Sequence, residues 1–122
     1  MRISTFLLIL FSVTLGAIGQ IALKKGISLV DFTFLNVSKA IISLEEAFKN
    51  PFIILGFSLY GISAVSWLVV LSRVELSYAY PMISISYILV VLLSRLILHE
   101  PLSFSKLVGT LIICLGIWIL LH

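Results

Sequence analysis

The stretch Tyr78–Leu102, YAYPMISISYILVVLLSRLILHEPL, decides how this chain reads. Its middle is apolar enough to cross a bilayer, yet Arg95 lies inside the apolar run and Glu100 closes it. An ionisable side chain at that depth costs about 2.5–3.5 kcal/mol on insertion scales, so it normally faces a partner or a wet cavity. Tyr78, Tyr80 and Pro81 open the stretch, and Ser84, Ser86 and Tyr87 follow early in the helix. Tyr80, Ser84, Tyr87, Val91 and Arg95 recur at three- and four-residue steps, which puts them on one helix face. The segment reads as the wall of a polar site in a very apolar protein. Pro81 falls in the first helical turn, where its missing N–H has no intrahelical partner to lose. For Arg95, snorkelling to the interface or pairing with Glu100 are the structural alternatives.

Outside this stretch the apolar character continues. Hydrophobic residues make up 61% of the 122 and charged residues 11%, a balance that would leave a soluble domain with large exposed apolar patches. A bilayer removes that difficulty. Ile3–Leu23, Phe52–Leu71, Tyr78–Leu98 and Phe104–Leu121 each approach the roughly 20 residues needed to span the hydrocarbon. The expected fold is all-α: four transmembrane helices and a short amphipathic interfacial helix in the first connector, residues 1–122 forming a single domain. The net charge of +3 comes from connectors and helix ends, so it reports topology and lipid contact rather than nucleic-acid binding. Cys114 stands alone in the last span, so no intrachain disulfide and no cysteine metal site is expected. Arg2, the apolar run and Gly16, Ala17 and Gly19 resemble a secretory signal. The run continues to Leu23, however, and is read as a retained span.

In span one, Ser12, Gly16, Gln20 and Lys24 follow at strict four-residue spacing and form a second stripe, small above and polar below. A primary amide in hydrocarbon needs partners, so Gln20 with Lys24 is read as part of a site. Asn36 suits the cap of a helix starting at Val37, whose Val37, Ala40, Ile41, Leu44 and Phe48 share an apolar face. Glu45 and Glu46 are adjacent, so they diverge by about 100° and belong to a solvated face. Pro51 suits the first turn of span two, where Gly56, Tyr60, Ser63 and Trp67 share a side, by packing or by lining a cavity. SRVELS, around Arg73 and Glu75, reads as a short turn between antiparallel spans. Ser103 caps span four, where Gly109 and Gly116, two turns apart, make a groove read as a dimer seam. Lys24, Lys25, Lys39, Lys49, Arg95 and Lys106 collect on one side, which places both termini outside the cytoplasm by the positive-inside rule.

These residues carry a resemblance. GQIALKKG (Gly19–Gly26), WLVVLSRVELSYAYPMISISYILV (Trp67–Val90), LILHEPLS (Leu96–Ser103) and GTLIICLGI (Gly109–Ile117) resemble the drug/metabolite transporter superfamily, in its EamA-like branch. Within it, the chain is most similar to the small subunits of the aminoarabinose–phosphoundecaprenol flippase. Gln20, Lys24, Tyr80, Pro81, His99, Glu100 and Pro101 are the positions that match. The resemblance implies a multi-pass protein of the cell (inner) membrane that moves an undecaprenyl-phosphate-linked sugar; four helices are too few to enclose a route alone, so a homodimer or a dimer with a paralogue is expected. The small multidrug resistance exporters are more distant relatives. Their defining glutamate would fall near Gly16, and span one here holds no acidic residue.

The expected substrate-binding set is Gln20, Lys24, Tyr80, Ser84, Tyr87, Arg95 and Glu100, with Gly109 and Gly116 at the seam. Lys24 and Arg95 suit a phosphate, Arg95 through its fork of donors. Gln20 and Tyr87 suit headgroup hydroxyls. Other readings are an exporter of a small amphipathic metabolite or drug, and a non-transporting scaffold subunit. No enzyme, cofactor or metal is expected: His99 and Glu100 adjoin, but no nucleophile–base set or metal-ligand spacing accompanies them.

Overall fold

A computed structural model describes residues 3–30 and 35–121. Six helices follow in order: α1 Ile3–Ser28, α2 Val37–Lys49, α3 Pro51–Leu71, α4 Leu76–Met82, α5 Ser84–Ile97 and α6 Phe104–Leu121. Among the described residues these give four segments long and apolar enough to cross a membrane, with α4 and α5 together forming the third. The expected all-α, four-span architecture is what the chain adopts.

The helix starts follow from capping. The Asn36 side chain accepts from the Lys39 N–H at 2.8 Å, the Asn50 side chain from Phe52 N–H at 2.9 Å, and the Ser103 hydroxyl from Lys106 N–H at 3.2 Å. Each satisfies one backbone donor that the first turn leaves orphaned. Pro51 at the head of α3 lacks the donor that would have been orphaned anyway. In the spans, the Ser58, Ser94 and Thr110 hydroxyls donate to carbonyls four residues earlier at 2.6–2.8 Å. A hydroxyl facing hydrocarbon is thereby satisfied within its own helix.

Two expectations about the spans need correction. Span one runs on to Ser28, five residues past Leu23, carrying Lys24 and Lys25 on helical backbone. Span three is not continuous. Its helix starts at Leu76, so Pro81 is near the end of a seven-residue helix and not in the first turn of a long one. There Pro81 removes the N–H that would bond the Ser77 carbonyl, and the helix breaks at Ile83 before restarting at Ser84. Tighter bonds from Ile83 N–H to the Tyr80 carbonyl and from Ser86 N–H to the Ile83 carbonyl bridge the break.

α1 is the central helix. It packs most extensively on α3 and next on α5, while α6 is held by α4 and α5, and α2 by α3. The α1–α3 contact is close because of Gly19 and Gly56. A Cβ on Gly19 would stand 3.0 Å from the Gly56 carbonyl oxygen, and one on Gly56 2.8 Å from that of Gly19. Small residues of this kind let transmembrane backbones approach where hydrophobicity gives no preference for helix over lipid. The Ser63 hydroxyl adds a bond to the Ser12 carbonyl at 2.6 Å across the same seam.

One buried cluster lies at one end of the bundle. Ile9 and Val13 of α1, Val70 of α3, and Ala79 and Met82 of α4 are buried together, with Phe6, Trp67, Ile85, Ile117 and Leu120 packed around them. This end holds the start of α1 and the turn between α3 and α4. Toward the opposite end, where the first and third connectors lie, burial continues along the α1–α3 seam at Ala17, Ile21, Ala22 and Ile53, with hollows beside it.

Candidate functional site

α1 presents its stripe as the spacing requires. Ser12, Gly16 and Gln20 line a hollow of ≈250 Å³ between α1, α3 and α5. Tyr60, Ser63 and Trp67 supply the α3 wall, and Ile83, Ser86 and Val90 the α5 wall. Gly16 leaves room there: a Cβ would sit 3.2 Å from the Ser63 hydroxyl oxygen. The Ser12 Oγ is enclosed and lacks a hydrogen-bond partner among the described residues. Hydroxyls, an amide and two aromatic rings in one hollow are suited to binding a molecule with both polar and apolar parts.

A second hollow, ≈440 Å³, opens between α1, α2 and α3. Lys24 lines it, and Gln20 lines both this hollow and the central one, so the two adjoin at that amide. Its remaining walls are apolar, among them Leu23 and Ile27 of α1, Leu44 and Phe48 of α2, and Phe57 of α3. Phe48 and Phe57 stack with ring centroids 5.5 Å apart, fixing α2 against α3.

The third-span stripe faces elsewhere. Tyr87, Val91, Ser94 and Arg95 line a hollow of ≈200 Å³ with Glu100 and Lys106. Lys106 is held there by donating from Nζ to the Pro101 carbonyl at 3.0 Å. Arg95 and Glu100 share the hollow, although no ion pair joins them among the described residues. Ser84 lines a fourth hollow, ≈290 Å³, with Gly116 and Ile117 of α6. Val90 lines both the central hollow and the Arg95 hollow, so the two adjoin at that side chain.

The expected residues are thus brought together in groups. Gln20 and Lys24 share one hollow; Tyr87, Arg95 and Glu100 share another; Ser84 sits apart beside α6. Tyr80 is 66% exposed, on the short helix before the break. The residues by which α5 faces the centre are Ile83, Ser86 and Val90, spaced three and four apart and so readable as a stripe, though a less polar one. Lys106 and the α2 wall also went unassigned by sequence. Gly109 and Gly116 both have open space where a Cβ would project. Among the described residues no cluster of three or more histidine, cysteine or acidic side chains is placed to hold a metal ion.

Four apolar spans with polar side chains lining the hollows between them suit a small membrane transporter. The chain belongs to the EamA-like transporter family, which it matches over residues 2–122. Among curated relatives, it is 34% identical over 126 residues to a probable 4-amino-4-deoxy-L-arabinose-phosphoundecaprenol flippase subunit ArnF of Shewanella sediminis, covering 96% of this chain and 87% of that one. It is 33% identical over 115 residues to the ArnF of Proteus mirabilis, covering 89% and 85%. To a probable ArnE subunit of the same flippase in Pseudomonas fluorescens it is 28% identical, covering 93% of both chains. No solved structure matches it. The relatives are transporter subunits, and this chain is a multi-pass protein of the inner membrane, where apolar helical spans rather than closed barrels are the rule.

Proposed function

We propose that this chain is a subunit of a flippase carrying an undecaprenyl-phosphate-linked sugar of the aminoarabinose type across the inner membrane. The observation that carries the reading is that the hollows adjoin: Gln20 lines both the Lys24 hollow and the centre, and Val90 lines both the centre and the Arg95 hollow. A charged headgroup thereby has cations at the membrane face and hydroxyls, an amide and aromatic faces at mid-depth, while its tail stays in lipid. Lys24 and Arg95 take the phosphate, and Gln20 and Tyr87 take headgroup hydroxyls. Ser84, Tyr80 and Glu100 serve the path rather than the phosphate contact.

The buried cluster at the start of α1 supports a reading in which the path is entered from the side of the first and third connectors. Their cation excess places that face in the cytoplasm. Residues 1–122 act as one transmembrane domain. Four helices enclose too little for a complete route, so a second copy or a paralogue completes it along α6, at Gly109 and Gly116. The task is movement of a lipid-linked sugar without covalent change to it.

A second reading has support of its own: the central hollow, flanked by Tyr60 and Trp67, also fits a small amphipathic molecule. At ≈250 Å³ it is below the usual range for enclosing a drug-sized ligand, which begins at about 300 Å³, and this favours the headgroup of a larger lipid. The test is headgroup translocation in proteoliposomes containing the chain and its partner subunit. Lys24→Ala and Arg95→Ala are each expected to slow it about tenfold or more, the loss of one charge-assisted phosphate contact. Unchanged rates in both variants would overturn the assignment, and substrate-driven uptake of a small amphipathic cation or metabolite would favour the second reading.

A further inference from the structure

The hollow between α1, α2 and α3 differs in composition from the central and Arg95 hollows. The central and Arg95 hollows carry several polar side chains, whereas here only Gln20 and Lys24 are polar and every other wall is hydrocarbon or aromatic. α2 is amphipathic and leaves apolar side chains uncovered: Val37, Ile41 and Phe48 are all more than half exposed. Its buried contact is made instead by Ser43 and Ala47. The two cations at the end of α1 are also differently occupied. Lys25 Nζ stands over the Phe52 ring, 5.1 Å from its centroid, while Lys24 has no hydrogen-bond or ion-pair partner among the described residues.

We infer that this hollow is a docking site for a polyprenyl-phosphate lipid, with the phosphate on Lys24 and the first prenyl units between Leu44, Phe48 and Phe57. The inference rests on the flippase reading and adds to it a place where the carrier lipid is held before its sugar enters the centre. Charge complementarity selects the headgroup: an ammonium at the rim of an apolar slot matches an anion attached directly to hydrocarbon. The single hollow selects the tail, since it receives one branched chain rather than the two of a phospholipid. Adjacency at Gln20 supplies the next step, because a side chain lining both hollows can meet the sugar while the tail stays on α2. α2 is then a structural wall of the site, and the amphipathic helix has a task beyond lying in the interface.

The protein in nanodiscs of phosphatidylcholine, incubated with undecaprenyl phosphate or with phosphatidylglycerol and examined by native mass spectrometry, provides the test. Undecaprenyl phosphate is expected to be retained about tenfold better than phosphatidylglycerol, with Lys24→Gln reducing retention about tenfold. Leu44→Trp, which fills the hollow, and Phe48→Ala, which removes the stack on Phe57, are also expected to release the lipid. Leu68→Trp, at a 66%-exposed position on the remote part of α3, is expected to leave retention unchanged. Circular dichroism of each variant identifies any that fail to fold, and the Leu44 and Phe48 changes stand in for one another. Equal retention of both lipids, or retention indifferent to Lys24, Leu44 and Phe48, would overturn the dock. Because the probe carries no sugar, lipid retained as expected without any headgroup translocation would support the dock while the flippase reading fell. Translocation by a protein that fails to retain the carrier would do the reverse.

Discussion

The α1–α3 pair and the outer helix α6 both carry glycines, and they use them oppositely. Between α1 and α3, Gly19 and Gly56 bring backbone against backbone, with a carbonyl oxygen within about 3 Å of where a Cβ would stand. On α6, Gly109 and Gly116 meet no atom within 4 Å, and the helix contains no buried residue. A glycine pattern in a membrane span therefore marks a surface intended for close approach without saying whether the neighbour is in the same chain. In this chain one pair is filled from within, and the other faces open space, which is where the proposed function puts a partner.

The comparison is broken most forcefully at Gly56. Gly56→Leu forces a side chain into Gly19 and Leu23, and overpacking on this scale costs about 3 kcal/mol or more. Thermal unfolding in detergent should show a large drop in Tm, and an unshifted Tm would mean that α1 and α3 are not in close contact. Ser63→Ala removes only the 2.6 Å bond to the Ser12 carbonyl across the same seam. Interhelical bonds in membranes average about 0.6 kcal/mol, so a small Tm decrease is expected, far short of the Gly56 effect. Smallest for the isolated chain is Gly109→Leu with Gly116→Leu, expected within about 0.5 kcal/mol of wild type because nothing is displaced. The same double variant should lower crosslinking between subunits through Cys114, an exposed thiol on α6. Full crosslinking would remove α6 as the seam, and a large loss of Tm would mean that its glycines pack inside the chain.

Much of the fold was legible because its signals are local. Asn36, Asn50 and Ser103 announce helix starts through their own side chains, and four apolar runs need no tertiary information to be recognised as spans. The break at Ile83 was harder to read, since Pro81 is innocuous or disruptive according to where its helix begins, and Leu76 gives no cap signal. The site was legible as stripes but not as rooms. Spacing says that Tyr87 and Arg95 share a face; it does not say that α5 turns this face toward α6 and gives Ser86 and Val90 to the centre. That rotation is set by packing against two neighbours at once. The α1 stripe was more readable because its close contact with α3 leaves it little choice of direction.

Helix lengths carry a final consequence. α1 has 26 residues and α6 has 18, about 39 Å and 27 Å at the standard rise, against about 30 Å of hydrocarbon. The longer helix tilts or protrudes, while the shorter one draws the two leaflets toward each other, at a fraction of a kcal/mol per Å. A short α6 on the flank of the Arg95 and Ser84 hollows predicts thinner lipid there, and with it a shorter greasy barrier for any headgroup crossing on that side.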